Sequence, residues 1–152
     1  MVYNDLVNEK KCKRYRKGEI VMKKRGVLHA ELSRCIAALG HKDLFMIGDA
    51  GMPIPPGVEV IDLAVTAGVP TFRQVLDAVL TEAEVEGYYL ADEIRTNNEE
   101  LHAYLQQKLK DVPAEYMPHD ALKAFSAKAK FAIRTGEFSP YPNVILRAGV
   151  VF

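Results

Sequence analysis

Apolar residues recur along this chain with two alternating periods. A helical period covers residues 29–39 and ends at Gly40, a residue type that commonly follows a helix. A short, bulky apolar run then covers residues 44–48 and runs into the turn Gly48-Asp49-Ala50-Gly51. The pattern therefore predicts a helix, then a buried strand that ends in a tight loop.

The same alternation continues towards the C terminus. Strands are predicted at 58–64, 88–91, 114–117, 131–134 and 144–152, and helices at 71–83, 97–110 and 119–129. Thr71 is a predicted helix cap, and Asn97 with Glu100 resembles a capping box. Strands alternating with helices predict an α/β fold, a single three-layer α/β/α domain with a mostly parallel or mixed central sheet.

Composition narrows the classes of function. The chain has 152 residues, 49% of them hydrophobic, and a formal net charge of zero, which argues against a nucleic-acid surface. No apolar run approaches the roughly 18–20 residues of a membrane span. Cys12 and Cys35 form no CxxC pair, and no signal-peptide pattern is present. We expect a cytoplasmic protein that contacts neither nucleic acid nor membrane.

Charge is distributed unevenly along the chain. Residues 1–24 carry eight Lys or Arg against three Asp or Glu, a net charge of +5, and the remainder carries −5. A basic segment of this kind is compatible with an arm that contacts nucleic acid or a membrane surface. We interpret residues 1–21 instead as a flexible extension, with the folded domain covering residues 22–152.

The predicted strand 44–48 has a candidate functional residue at each end. His41 precedes the strand, and imidazole suits general acid/base chemistry because it titrates near neutral pH. Asp49 follows the strand, where open α/β sheets usually bind ligands. Asp49 could orient His41 or accept hydrogen bonds from sugar hydroxyls. The alternatives are a structural or solvated histidine and an aspartate that only closes its turn.

Other polar residues indicate a site for a neutral ligand. Tyr141 and Asn143 lie in the turn Ser-Pro-Tyr-Pro-Asn, where a phenol and an amide suit carbohydrate hydroxyls. His119 follows a proline at a predicted helix start, and helix capping or exposure is its ordinary interpretation. Known phosphate, dinucleotide and zinc motifs are absent, and no histidine has a carboxylate at ligand spacing. We expect no cofactor and no metal.

Several segments together resemble the D-ribose pyranase family. They are MKKRGVLHAEL (22–32), LGHKDLFMIGDAGMPIPPGVEVIDLAV (39–65), GVPTF (68–72) and FAIRTGEFSPYPNVILRAGVVF (131–152). The resemblance runs through residues 22–152 without an evident gap. The related L-fucose mutarotases share the layout but have a different loop after the aspartate, where this chain has Gly51-Met52-Pro53.

The resemblance implies an isomerase that interconverts the pyranose and furanose forms of D-ribose without a cofactor. It implies that His41 is the acid/base catalyst. Substrate contacts are implied for Asp49, His119, Tyr141, Pro142 and Asn143. At position 142 this chain has proline where family members commonly have a small residue. Proline has no amide hydrogen, so a backbone contact with the substrate at this position can be made only through the carbonyl. The resemblance also implies a homo-oligomer, a decamer of two pentameric rings with sites at subunit boundaries.

Two other interpretations remain open at this point. One is a mutarotase for L-fucose or another sugar. The other is a non-catalytic sugar-binding or regulatory module, whose basic N-terminal segment contacts a partner. Loss of activity in a His41 variant separates an enzyme from a binding module, and a panel of sugars separates the two enzymes.

Overall fold

A computed structural model describes residues 22–152 of the chain. The predicted basic extension, residues 1–21, lies outside the described residues. The helices are α1 (Ala30–Ala37), α2 (Phe72–Leu80), α3 (Ile94–Asn97), α4 (Glu99–Lys108) and α5 (His119–Phe125), which runs into a 3₁₀ turn (Ser126–Lys128). The strands are β1 (Leu44–Gly48), β2 (Glu59–Asp62), β3 (Val85–Ala91), β4 (Ala114–Met117), β5 (Phe131–Arg134) and β6 (Val144–Ala148). In this part of the chain, no helix is long and apolar enough to cross a membrane.

The six strands form one mixed sheet in the order β2-β5-β1-β6-β3-β4. Strand β5 pairs in parallel with both β1 and β2, and β3 pairs in parallel with β4. Strand β6 lies between β1 and β3 and is antiparallel to both. Strands β1 to β5 therefore all point the same way, and the start of β6 lies beside their carboxyl ends.

Both faces of the sheet are covered, which confirms the α/β fold with three layers. One face contributes alternating residues such as Phe45, Ile47 and Leu90 to a core shared with helices α1, α2 and α4. The opposite face contributes Met46 and Ile145 to a smaller core under α5 and the loop after β1. Because strand side chains alternate between faces, each buried strand supplies both cores.

Helix caps confirm one local prediction and correct another. The Thr71 hydroxyl accepts a hydrogen bond from the Gln74 amide, and the Gln74 side chain accepts one from the Thr71 amide, so the predicted cap is a complete capping box. Asn97 is not a cap, because it ends the short helix α3. Asn98 begins α4 instead, and its side chain accepts a hydrogen bond from the Leu101 amide.

Strand β6 is shorter than the predicted strand 144–152. Its pairing ends at Ala148, opposite Val85, and the Gly149 amide donates to the Glu84 carbonyl. Val151 and Phe152 are exposed and lie beyond the sheet. The apolar character of the C-terminal residues therefore did not mark a continuing strand.

Candidate active site

Asp49 and Asn143 form a paired polar centre at the carboxyl edge of the sheet. Asp49 follows the last residue of β1 and Asn143 precedes the first residue of β6. The Asn143 Oδ1 accepts from the Asp49 amide at 2.9 Å, and its Nδ2 donates to Asp49 Oδ2 at 3.1 Å. Asn143 is only 1% exposed, so the first bond holds the Asp49 backbone and the second orients the Asp49 carboxylate from a buried position.

Asp49 also closes its own turn, as the simpler interpretation of this residue predicted. Its Oδ1 accepts a hydrogen bond from the Gly51 amide at 2.8 Å. The carboxylate is half-buried and carries one partner on each oxygen. Because each carboxylate oxygen has two acceptor sites, Asp49 keeps capacity for a hydroxyl donor while its geometry is held by the turn and by Asn143.

His119 and Tyr141 lie together on the β4 side of the same edge. Their rings meet edge to face, with centroids 5.0 Å apart. His119 is the first residue of α5, but Pro118 occupies the cap position, and no side-chain hydrogen bond caps this helix. The His119 Nε2 is buried and has no hydrogen-bond partner among the described residues. The ordinary interpretation of His119 as a cap or an exposed residue is therefore wrong, because its ring packs against Tyr141 and its Nε2 is buried without a partner among the described residues.

The backbone of the Tyr141 turn adopts an unusual conformation. Tyr141 has φ of 55°, in the left-handed region that non-glycine residues rarely adopt. The Asn143 amide donates to the Tyr141 carbonyl at 2.9 Å, which closes a three-residue turn around the buried Pro142. Such conformations cost roughly 1–3 kcal/mol and cluster at ligand sites. The turn holds the Tyr141 ring beside His119 and the Asn143 amide beside Asp49.

Glu93 is a site-supporting residue that the sequence analysis missed. It lies just before α3, after β3, and both carboxylate oxygens accept from the His119 amide, at 3.0 and 3.1 Å. Hydrogen bonds from the Glu93 and His119 backbone amides hold the pKa of the Glu93 carboxyl below its usual value. Glu93 and His119 are 26 positions apart, so this contact has no local sequence signal.

A cleft of about 560 Å³ opens on the β5 side of Asp49. Its polar wall includes Arg134, which donates to the Ala50 carbonyl and pairs with Asp62 at 2.8 Å. Phe138 also lines the cleft and is 73% exposed. Asp49 lines this cleft. His119, Tyr141 and Asn143 lie on the opposite side of Asp49, towards β6 and β4. Asp49 therefore lies between the cleft and the group formed by these three residues.

His41 does not join this centre within one chain. It precedes β1, at the opposite edge of the sheet from Asp49, and the five-residue strand between them spans roughly 13 Å. The His41 Nε2 instead contacts Glu86 Oε2 at 2.8 Å. The expectation that Asp49 orients His41 is therefore wrong for two residues of the same chain, because a strand keeps its two ends apart.

The two remaining histidines of the chain, His29 and His102, also have partners. His29 caps α1, and its Nδ1 accepts from the Leu32 amide at 3.2 Å. His102 contacts the Tyr116 hydroxyl at 2.8 Å. Within residues 22–152, no group of three or more His, Cys, Asp or Glu side chains is arranged to hold a metal ion.

Comparison with known proteins assigns this arrangement to a family. The family described as the RbsD / FucU transport protein family matches residues 22–151. The chain belongs to that family. A D-ribose pyranase of Shouchella clausii is 50% identical over 131 residues, covering 86% of this chain and 100% of the relative. A D-ribose pyranase of Lactiplantibacillus plantarum is 47% identical over the same length, with the same coverage of both chains.

Solved structures of RbsD / FucU proteins have the same fold. Bacillus subtilis RbsD complexed with D-ribose has a TM-score of 0.83 and 42% identity, covering 86% of this chain and 100% of that chain. The fucose mutarotase of Streptococcus pneumoniae, in complex with L-fucose, has a TM-score of 0.67 and 21% identity, covering 82% and 94% of the two chains. The similarity to the Streptococcus pneumoniae structure shows only a common fold, whereas the similarity to the Bacillus subtilis structure extends to the sequence.

Proposed function

We propose that this protein is a D-ribose pyranase, an isomerase that interconverts the pyranose and furanose forms of D-ribose. The observation that carries this proposal is the 47–50% identity to D-ribose pyranases over their entire length. The Bacillus subtilis protein complexed with D-ribose supports the same sugar as ligand. The fucose mutarotase is less similar, at 21% identity, so L-fucose is the weaker candidate substrate.

The carboxyl edge of the sheet supplies groups suited to a neutral sugar. We assign substrate binding to Asp49, His119, Tyr141, Pro142 and Asn143. Asp49 accepts hydrogen bonds from hydroxyls, and the free His119 Nε2 donates or accepts one according to its tautomer. Pro142 has no amide hydrogen, so it contributes through its carbonyl or through the rigidity of the turn.

The reaction requires one proton to move between two oxygens of the sugar. A base takes the proton of the anomeric hydroxyl and delivers it to the ring oxygen as the bond from that oxygen to the anomeric carbon breaks. The open aldehyde then closes when a different hydroxyl attacks the anomeric carbon, and the proton of that hydroxyl passes through the same base to the carbonyl oxygen, which becomes the new anomeric hydroxyl. An imidazole performs both transfers, with typical acid/base gains of about 10²–10⁴-fold. We assign this step to His41, and the cycle requires no redox cofactor or metal.

His41 reaches the sugar only from a neighbouring copy of the chain in this proposal. Within one chain, His41 and Asp49 lie at opposite ends of β1. A head-to-tail contact would place the His41 edge of one copy against the carboxyl edge of the next, and repetition of such a contact closes a ring. This proposal agrees with the expected decamer of two pentameric rings, and the oligomer number and the cytoplasmic location stay predictions.

The activity is tested by NMR saturation transfer on equilibrated D-ribose. Wild-type protein is expected to accelerate pyranose–furanose exchange, and His41→Ala is expected to lose the acceleration while it keeps its fold and mass. L-Fucose serves as a parallel sample. Acceleration of fucose exchange alone would indicate an L-fucose mutarotase instead. Acceleration of neither sugar by a folded oligomer would refute the proposal.

The shared site is tested by mixing two inactive variants. In a head-to-tail ring, each site would take His41 from one chain and Asp49 from the next. When His41→Ala and Asp49→Asn chains are co-assembled in equal amounts, about one quarter of the sites receive both intact residues and are expected to be active. Separately assembled variants, combined without subunit exchange, are the control and stay inactive. No recovery in verified mixed oligomers would place both residues in one subunit's site or remove one of them from the reaction.

A further inference from the structure

We infer that Glu86 is a positioning residue for the proposed reaction, holding the His41 imidazole through its Nε2 so that Nδ1 is the nitrogen that exchanges protons with the sugar. This inference rests on the proposed function. The contact between His41 Nε2 and Glu86 Oε2 is 2.8 Å, and His41 Nδ1 has no hydrogen-bond partner among the described residues. A carboxylate accepts, so Nε2 carries the hydrogen and Nδ1 keeps its lone pair in the neutral ring.

The backbone at Glu86 is built to direct this side chain. The pairing between β3 and β6 shifts register between Val85 and Gly87, so Glu86 is the extra residue of a β-bulge. Bulges interrupt the alternation of a strand and change the direction of the side chain they carry. Without the bulge, the regular alternation of strand residues would decide on which face of the sheet the Glu86 side chain lies. The bulge therefore accounts for a glutamate that faces a residue preceding β1.

Arg147 forms an ion pair with the second oxygen of the Glu86 carboxylate. Its Nε lies 3.2 Å from Glu86 Oε1 but makes no hydrogen bond among the described residues, and its Nη1 donates to the Tyr89 hydroxyl at 2.9 Å. A side chain at Gly87 would meet the Arg147 guanidinium at 2.5 Å, so glycine leaves the space that this arginine fills. The guanidinium therefore places a positive charge beside the carboxylate oxygen that does not face His41.

Charge around the pair agrees with a carboxylate that stays ionised. The hydrogen bond from His41 holds the pKa of the Glu86 carboxyl below its usual value, and the charges of His41, Arg147 and Lys42 add to this effect. Glu86 is 31% exposed and His41 is 46% exposed, so the dyad lies at the surface, where a neighbouring copy can approach it. A fixed negative charge behind the ring stabilises the imidazolium that forms during each proton transfer.

The test compares Glu86→Gln with Glu84→Gln, an exposed residue two positions away with the same charge change. In the wild type and in Glu84→Gln, long-range ¹H–¹⁵N NMR is expected to show the neutral His41 ring with its hydrogen on Nε2, because Glu86 accepts that hydrogen. In Glu86→Gln, the tautomer with the hydrogen on Nδ1 is expected to gain population, because the charged acceptor is lost. An unchanged tautomer balance in Glu86→Gln would overturn the inference, whether or not the protein accelerates sugar exchange.

Kinetics supply a second readout that a merely structural residue would not move. In Glu86→Gln, kcat for ribose exchange is expected to fall roughly tenfold with KM unchanged. Glu84→Gln keeps wild-type kinetics. A raised KM with unchanged kcat would assign Glu86 to sugar binding and refute its positioning function. Absence of exchange by the wild-type protein refutes the proposed function, and the tautomer measurement then tests the contact by itself.

Discussion

The pairing of Asp49 with Asn143 predicts a pH-dependent loss of stability in Asn143→Asp. In this variant Oδ1 still accepts from the Asp49 amide, but the donor at 3.1 Å from Asp49 Oδ2 becomes a second carboxylate oxygen. Two unit charges at that distance repel by about 5 kcal/mol at an effective dielectric constant of about 20. Asp49 is only partly buried, and solvent reduces this to roughly 2–3 kcal/mol at pH 7.

The pH dependence has a defined sign. Two adjacent carboxylates share one proton, which raises the folded-state pKa of the pair above its unfolded value. A raised folded pKa means that the folded state binds more protons, so the penalty is small below about pH 4 and grows as pH rises towards neutrality. Asn143→Ala is the control. It leaves the Asp49 amide without its partner, at a cost of about 1–3 kcal/mol that is nearly independent of pH.

Thermal unfolding at matched protein concentration measures both variants. At pH 7, Asn143→Asp is expected to unfold about 6–12 °C below the wild type, and at pH 4 within about 4 °C of it. The Tm deficit of Asn143→Ala is expected to be similar at both pH values. An equal deficit for Asn143→Asp at pH 4 and pH 7 would refute the reasoning, because it would show that the two carboxylates do not interact.

Two further predictions concern a helix cap and a strained backbone position. Thr71→Ala removes the hydroxyl of the capping box and is expected to lower the free energy of unfolding by about 1 kcal/mol, whereas Thr71→Ser keeps the bond and most of the stability; denaturant unfolding decides between them. Lys42 is exposed and has φ of 69°. Lys42→Gly is expected to raise the free energy of unfolding by up to about 1 kcal/mol, and Tm slightly, because glycine relieves the backbone strain. Lys42→Ala is expected to give no such gain. A lower Tm for Lys42→Gly than for Lys42→Ala would show that Lys42 side-chain contacts outweigh its backbone strain.

Local sequence determined most of the secondary structure. The apolar run before Gly48 predicted β1, and Thr71 predicted the start of α2, because buried strands and helix caps depend on residues close in sequence. Asp49, Tyr141 and Asn143 were candidates because they lie in turns that begin or end strands, whereas Pro142 and the substrate contact of His119 were implied only by the family resemblance. The cap at Asn97 was misplaced by one residue since Asn97 and Asn98 are both suitable, and the short helix α3 carries no periodic signal of its own.

Tertiary structure alone decided which of these residues meet. Asp49 and Asn143 are 94 positions apart, and they pair because β6 enters the sheet antiparallel beside β1, an insertion that no local pattern predicts. Glu93 reaches His119 for the same kind of reason, since β3 and β4 end side by side. Sequence alone placed His41 and Asp49 at two ends of one strand. The sheet gives His41 another partner, Glu86 of β3, which lies 45 positions away and which no local sequence signal indicates.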